Sequence, residues 1–153
     1  AKNQVMGVFH RDLTAKLARV LQQLGSRHVL VVHGADGMDE ISISGPTYIA
    51  EVKNDTLQEF SVQPQDYGLK ISAQDTLRVA NADEARSMLL GVLDNQPGAA
   101  RDIVQLNAGA AIYVAGLTGT LAEGVNKAGE AIASGAAKNK LAQLIQVSNE
   151  TGA

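Results

Sequence analysis

The sequence contains no cysteine, which excludes disulfide frameworks, thiolate-bound zinc sites and cysteine nucleophiles. It also lacks any apolar run that approaches the roughly 20 residues a helix needs to span a bilayer. Its first residues do not show the basic and apolar pattern of a secretory leader. We therefore expect a soluble, cytoplasmic protein that does not associate with membranes.

Positive charge and aromatic side chains are scarce as well. Lysine and arginine total 13 against 16 aspartates and glutamates, which gives a net charge of −3, and the aromatics are two phenylalanines and three tyrosines. A protein that binds nucleic acid needs a basic surface for the phosphates and, for single strands, aromatic faces for the bases. The composition therefore argues against nucleic acid as a partner.

The 153 residues suffice for one domain, and a hydrophobic content of 45% supports a packed core. Residues 4–9 (QVMGVF) and 27–32 (RHVLVV) are typical of buried strands, and between them Asp12 caps a predicted amphipathic helix that runs to Leu24. This βαβ unit predicts a parallel strand pair with a right-handed crossover. Because a core strand opens the chain, we expect the sequence to be the later part of a longer polypeptide.

The remainder divides into a β-rich stretch and a helical stretch. Between residues 41 and 62 the runs ISIS, TYIAEV and LQEFSV are β-rich, Asn54-Asp55 predicts a hairpin turn, and residues 63–77 resemble a surface connection. Four helices are predicted over residues 82–93, 99–115, 121–132 and 138–147. The helix over 99–115 is apolar on nearly every side, which predicts that it is buried and that an aspartate at Val104 would collapse the fold. Its alanines and glycines indicate close packing against neighbouring helices.

Three carboxylates follow the second predicted strand in residues 33–40 (HGADGMDE). Ligands of open α/β sheets bind where loops leave the carboxyl ends of strands, and an anionic loop there suits Mg²⁺, which takes oxygen ligands and keeps waters and phosphates. Adjacent residues of a strand point to opposite sides. Either the turn after Gly37 redirects Asp39 and Glu40, or they serve different metals, or one acts through water. A solvated acidic turn is the alternative interpretation.

Other patterns that carry chemistry are missing. A calcium loop starting at Asp36 would place Met38 at a ligand position. The sequence has no phosphate-binding GxxxxGKS or GxxxxGKT, no GxGxxG after a strand and no GxSxG around its serines. Asn107 lies within the apolar helix, where we expect its side chain to bond to neighbouring backbone. The residues alone therefore assign no catalytic side chain.

The segment HGADGMDEIS resembles a signature of the anthranilate phosphoribosyltransferase family. Other parts agree with that family in order along essentially the whole chain: QVMGVF at 4–9, Pro64, Asp66 and Gly68-Leu69, Asn81-Ala82, RDIVQLNAGAAIYVAG at 101–116, Glu123-Gly124 and residues 131–135. The resemblance implies an α/β fold, part of a phosphoribosyltransferase domain of the nucleoside phosphorylase-like superfamily, with a central sheet flanked by helices. Residues 1–153 would be the C-terminal portion of the large α/β domain, with the helical N-terminal domain missing.

The resemblance also implies the chemistry. The family transfers the phosphoribosyl group of phosphoribosyl pyrophosphate (PRPP) to the amine of anthranilate and releases pyrophosphate, in tryptophan biosynthesis. Asp39 and Glu40 match its Asp-Glu pair, which resembles a Mg²⁺ site that faces the pyrophosphate. The family's glycine-rich GTGGD loop, its Lys-His-Gly-Asn segment and its anthranilate-binding arginine are not in this chain. The fragment alone should therefore be inactive, and a homodimer would form through the missing N-terminal domain.

Two other functions compete with this one. A pyrimidine nucleoside phosphorylase would share the fold superfamily, but its site holds phosphate with cations and does not need an acidic metal-binding pair. A relative without enzymatic activity that binds nucleic acid is disfavoured by the net charge of −3.

Overall fold

The computed structural model describes residues 1–150 of the chain. Four strands form one mixed sheet in the order β1-β2-β3-β4: β1 (Asn3–Gly7), β2 (His28–Gly34), β3 (Thr47–Lys53) and β4 (Thr56–Val62). Five α-helices surround it: α1 (Leu13–Gln23), α2 (Ala82–Leu93), α3 (Ala99–Val114), α4 (Leu121–Ala133) and α5 (Ala136–Glu150). The connection predicted over residues 63–77 contains two short 3₁₀ helices, Pro64–Tyr67 and Gln74–Leu77. The structure thus confirms a central sheet flanked by helices.

The predicted βαβ unit is present, since β1 pairs with β2 in parallel and α1 connects them. The strands β2, β3 and β4 then pair antiparallel. The predicted hairpin turn is confirmed at Asn54 and Asp55, whose φ angles of 51° and 60° are those of a tight two-residue turn.

The run ISIS, predicted to be β-rich, is not a strand. Ile41 and Ile43 are buried at 2% and 0% exposure, so their side chains alternate inward as in a strand. The backbone of this run is bonded without a ladder. The Asn107 side chain bonds to the Ile41 N–H and carbonyl, the Thr47 hydroxyl accepts the Ser42 N–H, and the Ile43 carbonyl accepts the Ser72 N–H. The alternation of apolar and polar residues shows which side of the segment is buried. It does not show whether a neighbouring strand pairs with the segment, and within residues 1–150 none does.

Each face of the sheet has its own core. Val29, Val31, Ala50 and Val52 pack on the α1 side together with Val8 and Ala18. Leu30, Val32 and Ile49 pack on the other side against α3 and α4. Alternate residues of β2 and β3 therefore serve opposite layers, which is why both strands carry apolar residues on both faces.

Close packing of α3 against α4 is confirmed at two glycines. A Cβ built on Gly109 would lie 2.5 Å from the Val125 Cα, and one on Gly124 would lie 2.3 Å from the Gly109 carbonyl oxygen. The prediction of a fully buried α3 is wrong, however. Its inner side, with Leu106 and Ala110, is buried, but Val104 is 40% exposed on the other side. An aspartate at position 104 would therefore be in contact with solvent. The predicted collapse assumed a buried charge, so the structure does not support it.

No helix within residues 1–150 combines the length and the apolar character that crossing a membrane requires.

Candidate functional site

The acidic loop leaves the carboxyl end of β2, the position at which open α/β sheets bind ligands. Gly37 sits at φ +93°, a conformation that side chains disfavour, and its N–H bonds to the Gly34 carbonyl at 2.9 Å. Asp39 and Glu40 follow in bends outside any strand. The rule that adjacent strand residues point to opposite sides therefore does not apply to them.

The Asp36 carboxylate stabilises the loop through hydrogen bonds to other loop residues. Its Oδ2 accepts hydrogen bonds from the hydroxyls of Ser42, at 2.6 Å, and Ser44, while its Oδ1 accepts the Met38 N–H at 3.2 Å. Burial opposes ionisation of this carboxyl, but the hydrogen bonds outweigh it and lower the pKa of Asp36 below its ordinary value. Asp36 is thus an anion satisfied by the protein, and a structural residue of the loop.

Asn107 fixes the end of the loop to α3. Its Oδ1 accepts the Ile41 N–H at 2.9 Å, and its Nδ2 donates to the Ile41 carbonyl at 2.9 Å and to the Ile103 carbonyl at 3.0 Å. The prediction that Asn107 bonds to neighbouring backbone is confirmed. Since Ile41 directly follows Glu40, this pair of bonds places the acidic pair relative to α3.

The acidic loop packs closely against β1 at Gly7. A Cβ at Gly7 would lie 1.6 Å from the Asp39 carbonyl oxygen, a distance no side chain tolerates. The bond from His33 Nδ1 to the Val8 carbonyl, at 2.8 Å, joins the ends of β1 and β2 nearby. The backbone of Asp39 therefore lies directly on the carboxyl end of β1.

The two predicted metal ligands differ from Asp36 because the protein leaves them unsatisfied. Within residues 1–150, neither the Asp39 nor the Glu40 carboxylate has a hydrogen-bond or ion-pair partner, and both residues are exposed. Partial burial and the neighbouring charge of Asp39 raise the pKa of Glu40. A cation bound here would relieve that repulsion, so the donor set fits Mg²⁺.

The chain itself supplies only part of a coordination shell. Among the described residues there is no group of three or more histidine, aspartate or glutamate side chains placed to hold a metal ion. Asp39 and Glu40 are thus at most two ligands. The remaining positions suit water and phosphate oxygens, the usual companions of protein-bound Mg²⁺.

A cavity of about 550 Å³ opens beside the acidic pair. Glu40 and Asn107 lie at its polar side. The rest of its wall is apolar and comes from Met38 of the acidic loop, from α2 and α3, and from the segment before α2. The apolar lining includes Met38, Leu77, Val79, Met88, Leu89, Ile103 and Val104.

The opposite end of the sheet also carries a carboxylate, in a different setting. His28 Nε2 and Glu51 Oε1 are 2.8 Å apart, both residues are buried, and the Tyr113 ring packs edge-on against His28. Lys53 Nζ donates to the Tyr113 hydroxyl at 3.1 Å. Burial and the contact with Glu51 raise the pKa of Tyr113. Within residues 1–150, no buried side-chain nitrogen or oxygen atom lacks a hydrogen-bond partner, and this includes the buried atoms of the cluster.

Sequence reasoning found the acidic loop but missed what supports it. Gly7 and Asn107 lie far from the loop along the chain, and no local spacing indicates that they touch it. Asp36 was visible as one of three carboxylates, yet its role depends on the serines at 42 and 44, which the sequence does not mark as its partners.

Comparison with known proteins agrees with this geometry. The family described as the glycosyl transferase family, a/b domain, matches residues 1–138. The anthranilate phosphoribosyltransferase of Nitrosomonas eutropha is 59% identical over 150 residues, which is 98% of this chain and 44% of that protein. The chain therefore spans less than half the length of this curated relative.

Two solved structures share the fold. The crystal structure of anthranilate phosphoribosyltransferase from Thermus thermophilus matches with a TM-score of 0.81 and 35% identity, over 90% of this chain and 40% of that chain. A variant of the Saccharomyces cerevisiae enzyme with Mg bound matches with a TM-score of 0.80 and 25% identity, over 93% of this chain and 42% of that chain. With its α/β sheet, its acidic loop and a family match over most of its length, the chain belongs to the glycosyl transferase family, within the α/β domain of that family.

Proposed function

We propose that this chain is part of an enzyme that transfers the phosphoribosyl group of PRPP to the amine of anthranilate and releases pyrophosphate, in tryptophan biosynthesis. The observation that carries the proposal is the 59% identity to a relative named for this reaction, over 98% of the chain. The unpaired acidic pair at the carboxyl edge of the sheet supports it independently. A pyrimidine nucleoside phosphorylase has no comparable need for such a pair.

The acidic pair is suited to the leaving-group side of the reaction. Cleavage at the anomeric carbon develops positive charge on the sugar and negative charge on the departing pyrophosphate. Mg²⁺ bound to a pyrophosphate oxygen would neutralise that negative charge as a Lewis acid. Asp39 and Glu40 would hold the ion, Asp36 would keep the loop in shape, and Asn107 would fix its far end. None of the four is proposed as an acid or base.

The extent of the chain fits a partial domain. We propose that residues 1–153 are the C-terminal portion of the large α/β domain, and that a helical N-terminal domain lies in the remainder of the protein. The 44% share of the Nitrosomonas eutropha relative supports this division. The residues that hold the rest of PRPP and the anthranilate would then come from that remainder.

Partners and location follow from the same proposal. The substrates would be PRPP and anthranilate, and the cofactor would be Mg²⁺, since the Saccharomyces cerevisiae variant has Mg bound. We propose a homodimer formed through the N-terminal domain, without nucleic acid or membrane as a partner. We propose a cytoplasmic location, because the proposed reaction belongs to amino-acid biosynthesis.

A chimera tests the proposal directly. The matched 150 residues of the Nitrosomonas eutropha relative would be replaced by this chain, and the loss of anthranilate fluorescence followed with PRPP and Mg²⁺. We expect PRPP-dependent turnover that a chelator abolishes. A folded chimera that is inactive under conditions in which the parent relative turns over would refute the proposed activity.

The site assignment has its own test in the chimera. Asp39→Asn and Glu40→Gln should each lower kcat/KM by about 100-fold, the scale of lost electrostatic stabilisation of a transition state. They should also raise the Mg²⁺ concentration needed for half-maximal rate. Glu59→Gln, an exposed carboxylate on β4, is the matched control and should leave both quantities unchanged. If all three variants had the same kcat/KM and the same Mg²⁺ requirement, the assignment of Asp39 and Glu40 as metal ligands would be wrong.

A further inference from the structure

The acidic loop contains a pair of residues that is chemically reactive in proteins. Asp36-Gly37 is the one Asp-Gly pair of the sequence, which has no Asn-Gly pair. Such a pair is prone to spontaneous rearrangement because glycine, without a Cβ, leaves its amide nitrogen accessible to the preceding carboxyl. The loop favours this glycine, since Gly37 sits at φ +93°. The fold therefore places a reactive pair three residues before Asp39.

The rearrangement has two steps and consumes nothing but water. In the first, the Gly37 nitrogen attacks Cγ of the Asp36 carboxyl, a C–N bond forms, and one carboxyl oxygen leaves as water with the acid proton and the amide proton. In the second, water attacks the main-chain carbonyl carbon of the five-membered succinimide, and the bond from that carbon to nitrogen breaks. The product is isoaspartate, whose main chain runs through Cβ and Cγ and is one atom longer. No electrons are transferred, and the mass is unchanged overall.

Both reacting groups already have partners in the folded chain. The Gly37 N–H donates to the Gly34 carbonyl at 2.9 Å. The Asp36 Oδ2 accepts the hydroxyls of Ser42, at 2.6 Å, and Ser44. The nitrogen must leave its carbonyl and the carboxyl must leave the two hydroxyls before the first bond can form. Local opening of the loop is thus a condition of the reaction.

The charge of the carboxyl opposes the first step as well, since an oxygen leaves as water only from the protonated acid. Burial opposes ionisation of Asp36, but hydrogen bonds from Ser42, Ser44 and the Met38 N–H outweigh it and lower its pKa. At neutral pH the group is therefore an anion, the less reactive form. The two serines both hold the carboxylate and keep it ionised.

Burial alone does not protect this pair, because Asp36 and Gly37 are both exposed and water reaches the loop. We infer that Asp36-Gly37 is a site of spontaneous isoaspartate formation, and that the hydroxyls of Ser42 and Ser44 suppress this modification in the folded protein. The chemistry at Asp36 is independent of the proposed reaction.

The modification would change the shape of the acidic loop. The added main-chain atom falls within the turn that the Gly34 N–H closes by donating to the Met38 carbonyl at 2.8 Å. The loop has no space on the side of β1, where a Cβ at Gly7 would lie 1.6 Å from the Asp39 carbonyl oxygen. A longer turn must therefore break the closing bond or move Asp39 away from β1.

Ageing of the purified chain at neutral pH and physiological temperature tests the inference. Isoaspartate is measured by methyl transfer from S-adenosylmethionine with protein isoaspartate methyltransferase, and is located by peptide mapping, where the Asp36 peptide changes retention but not mass. The Ser42→Ala/Ser44→Ala chain should form it at least about tenfold faster than the wild type, because two bonds to a charged acceptor are lost. Ser134→Ala removes an exposed serine elsewhere and should age like the wild type.

Three controls accompany the double variant. Asp36→Glu in the same background should abolish methyl acceptance at this peptide, because a glutamate closes a six-membered ring far more slowly. The wild-type chain in urea gives the rate without structure, which should exceed the folded rate at least about tenfold. Thermal melting shows whether the double variant folds. If it does not, Ser44→Ala should form isoaspartate faster than Ser44→Thr, which retains the hydroxyl.

Three outcomes would overturn the inference. The folded wild type could form isoaspartate as fast as the chain in urea, which would show that the loop gives no protection. The folded serine variants could age like the wild type, which would show that the hydroxyls are not its cause. The modification could arise at another aspartate, which would leave Asp36-Gly37 unreactive.

Discussion

The carboxylates at the two ends of the sheet differ in burial and in pairing. At the His28 end, Glu51 is buried at 8% exposure and paired with an imidazole, and the surrounding polar groups all have partners. At the Gly34 end, Asp39 and Glu40 are exposed, adjacent and unpaired, and partial burial together with their mutual repulsion raises the pKa of Glu40. One end uses a paired charge to hold the fold, whereas at the other end, within residues 1–150, the two charges have no partner. Substitutions at the two ends should therefore affect different measurements.

The largest effect on stability is expected from Glu51→Ala. Removing one partner of a buried pair leaves the other without compensation and lowers the free energy of unfolding by about 3–5 kcal/mol. Urea denaturation of the chain measures this. Glu59→Ala, on the exposed neighbouring strand, is the control and should stay within about 0.5 kcal/mol of the wild type. Similar losses in both variants would mean that the buried pair has no special role.

A smaller loss is expected from Gly7→Ala at the other end. The new methyl group would meet the Asp39 carbonyl at 1.6 Å, so the loop must shift, at a cost of about 1–3 kcal/mol. Gly45→Ala is the matched control, because a Cβ there has open space around it. Denaturation compares the two, and a Gly7→Ala chain as stable as Gly45→Ala would show that the loop does not rest on β1.

Asp36→Asn should cost about 1 kcal/mol at neutral pH through weaker hydrogen bonds to the loop. The folded pKa of Asp36 is lowered, so its contribution to stability is present above the ordinary pKa and is lost as pH falls through the lowered value. Denaturation from neutral to acidic pH should show the wild type and the variant converging. A constant difference across that range would contradict the assignment, as would an unchanged Asp36 titration after Ser42→Ala and Ser44→Ala.

The smallest effect on stability is expected from Glu40→Gln, within about 0.5 kcal/mol. The sign is opposite to that at Asp36. A raised folded pKa means that Glu40 contributes stability below its ordinary pKa, and that this contribution is lost as pH rises through the raised value. The variant should thus be at least as stable as the wild type at neutral pH. A clear loss would indicate that Glu40 has a structural partner.

The strand, helix and loop order was accessible from sequence because local signals set it. Apolar runs mark β2, the Asn54-Asp55 turn fixes the β3–β4 hairpin, and Asn81 caps α2 through a bond from the Glu84 N–H at 2.9 Å. The acidic loop was also recognisable, since its carboxylates follow a strand directly.

What escaped prediction depends on contacts between distant segments. The run ISIS has the alternation of a strand but pairs with Asn107 and Thr47 instead of a ladder. Val104 lies in a helix whose apolar composition is typical of buried helices, yet it is exposed. Its exposure depends on which elements of residues 1–150 pack beside α3, and helical periodicity does not predict that packing. The apolar composition of α3 predicts that the helix is buried on all sides. The structure shows that only part of its surface is covered within residues 1–150.

The bonds from Asn107 to Ile41 make the position of the acidic pair depend on a helix that lies far from it along the chain. They join the residue after Glu40 to α3, so the backbone that carries Asp39 and Glu40 is anchored to that helix. A substitution that weakens the anchor would change the position of the two carboxylates without changing their charge.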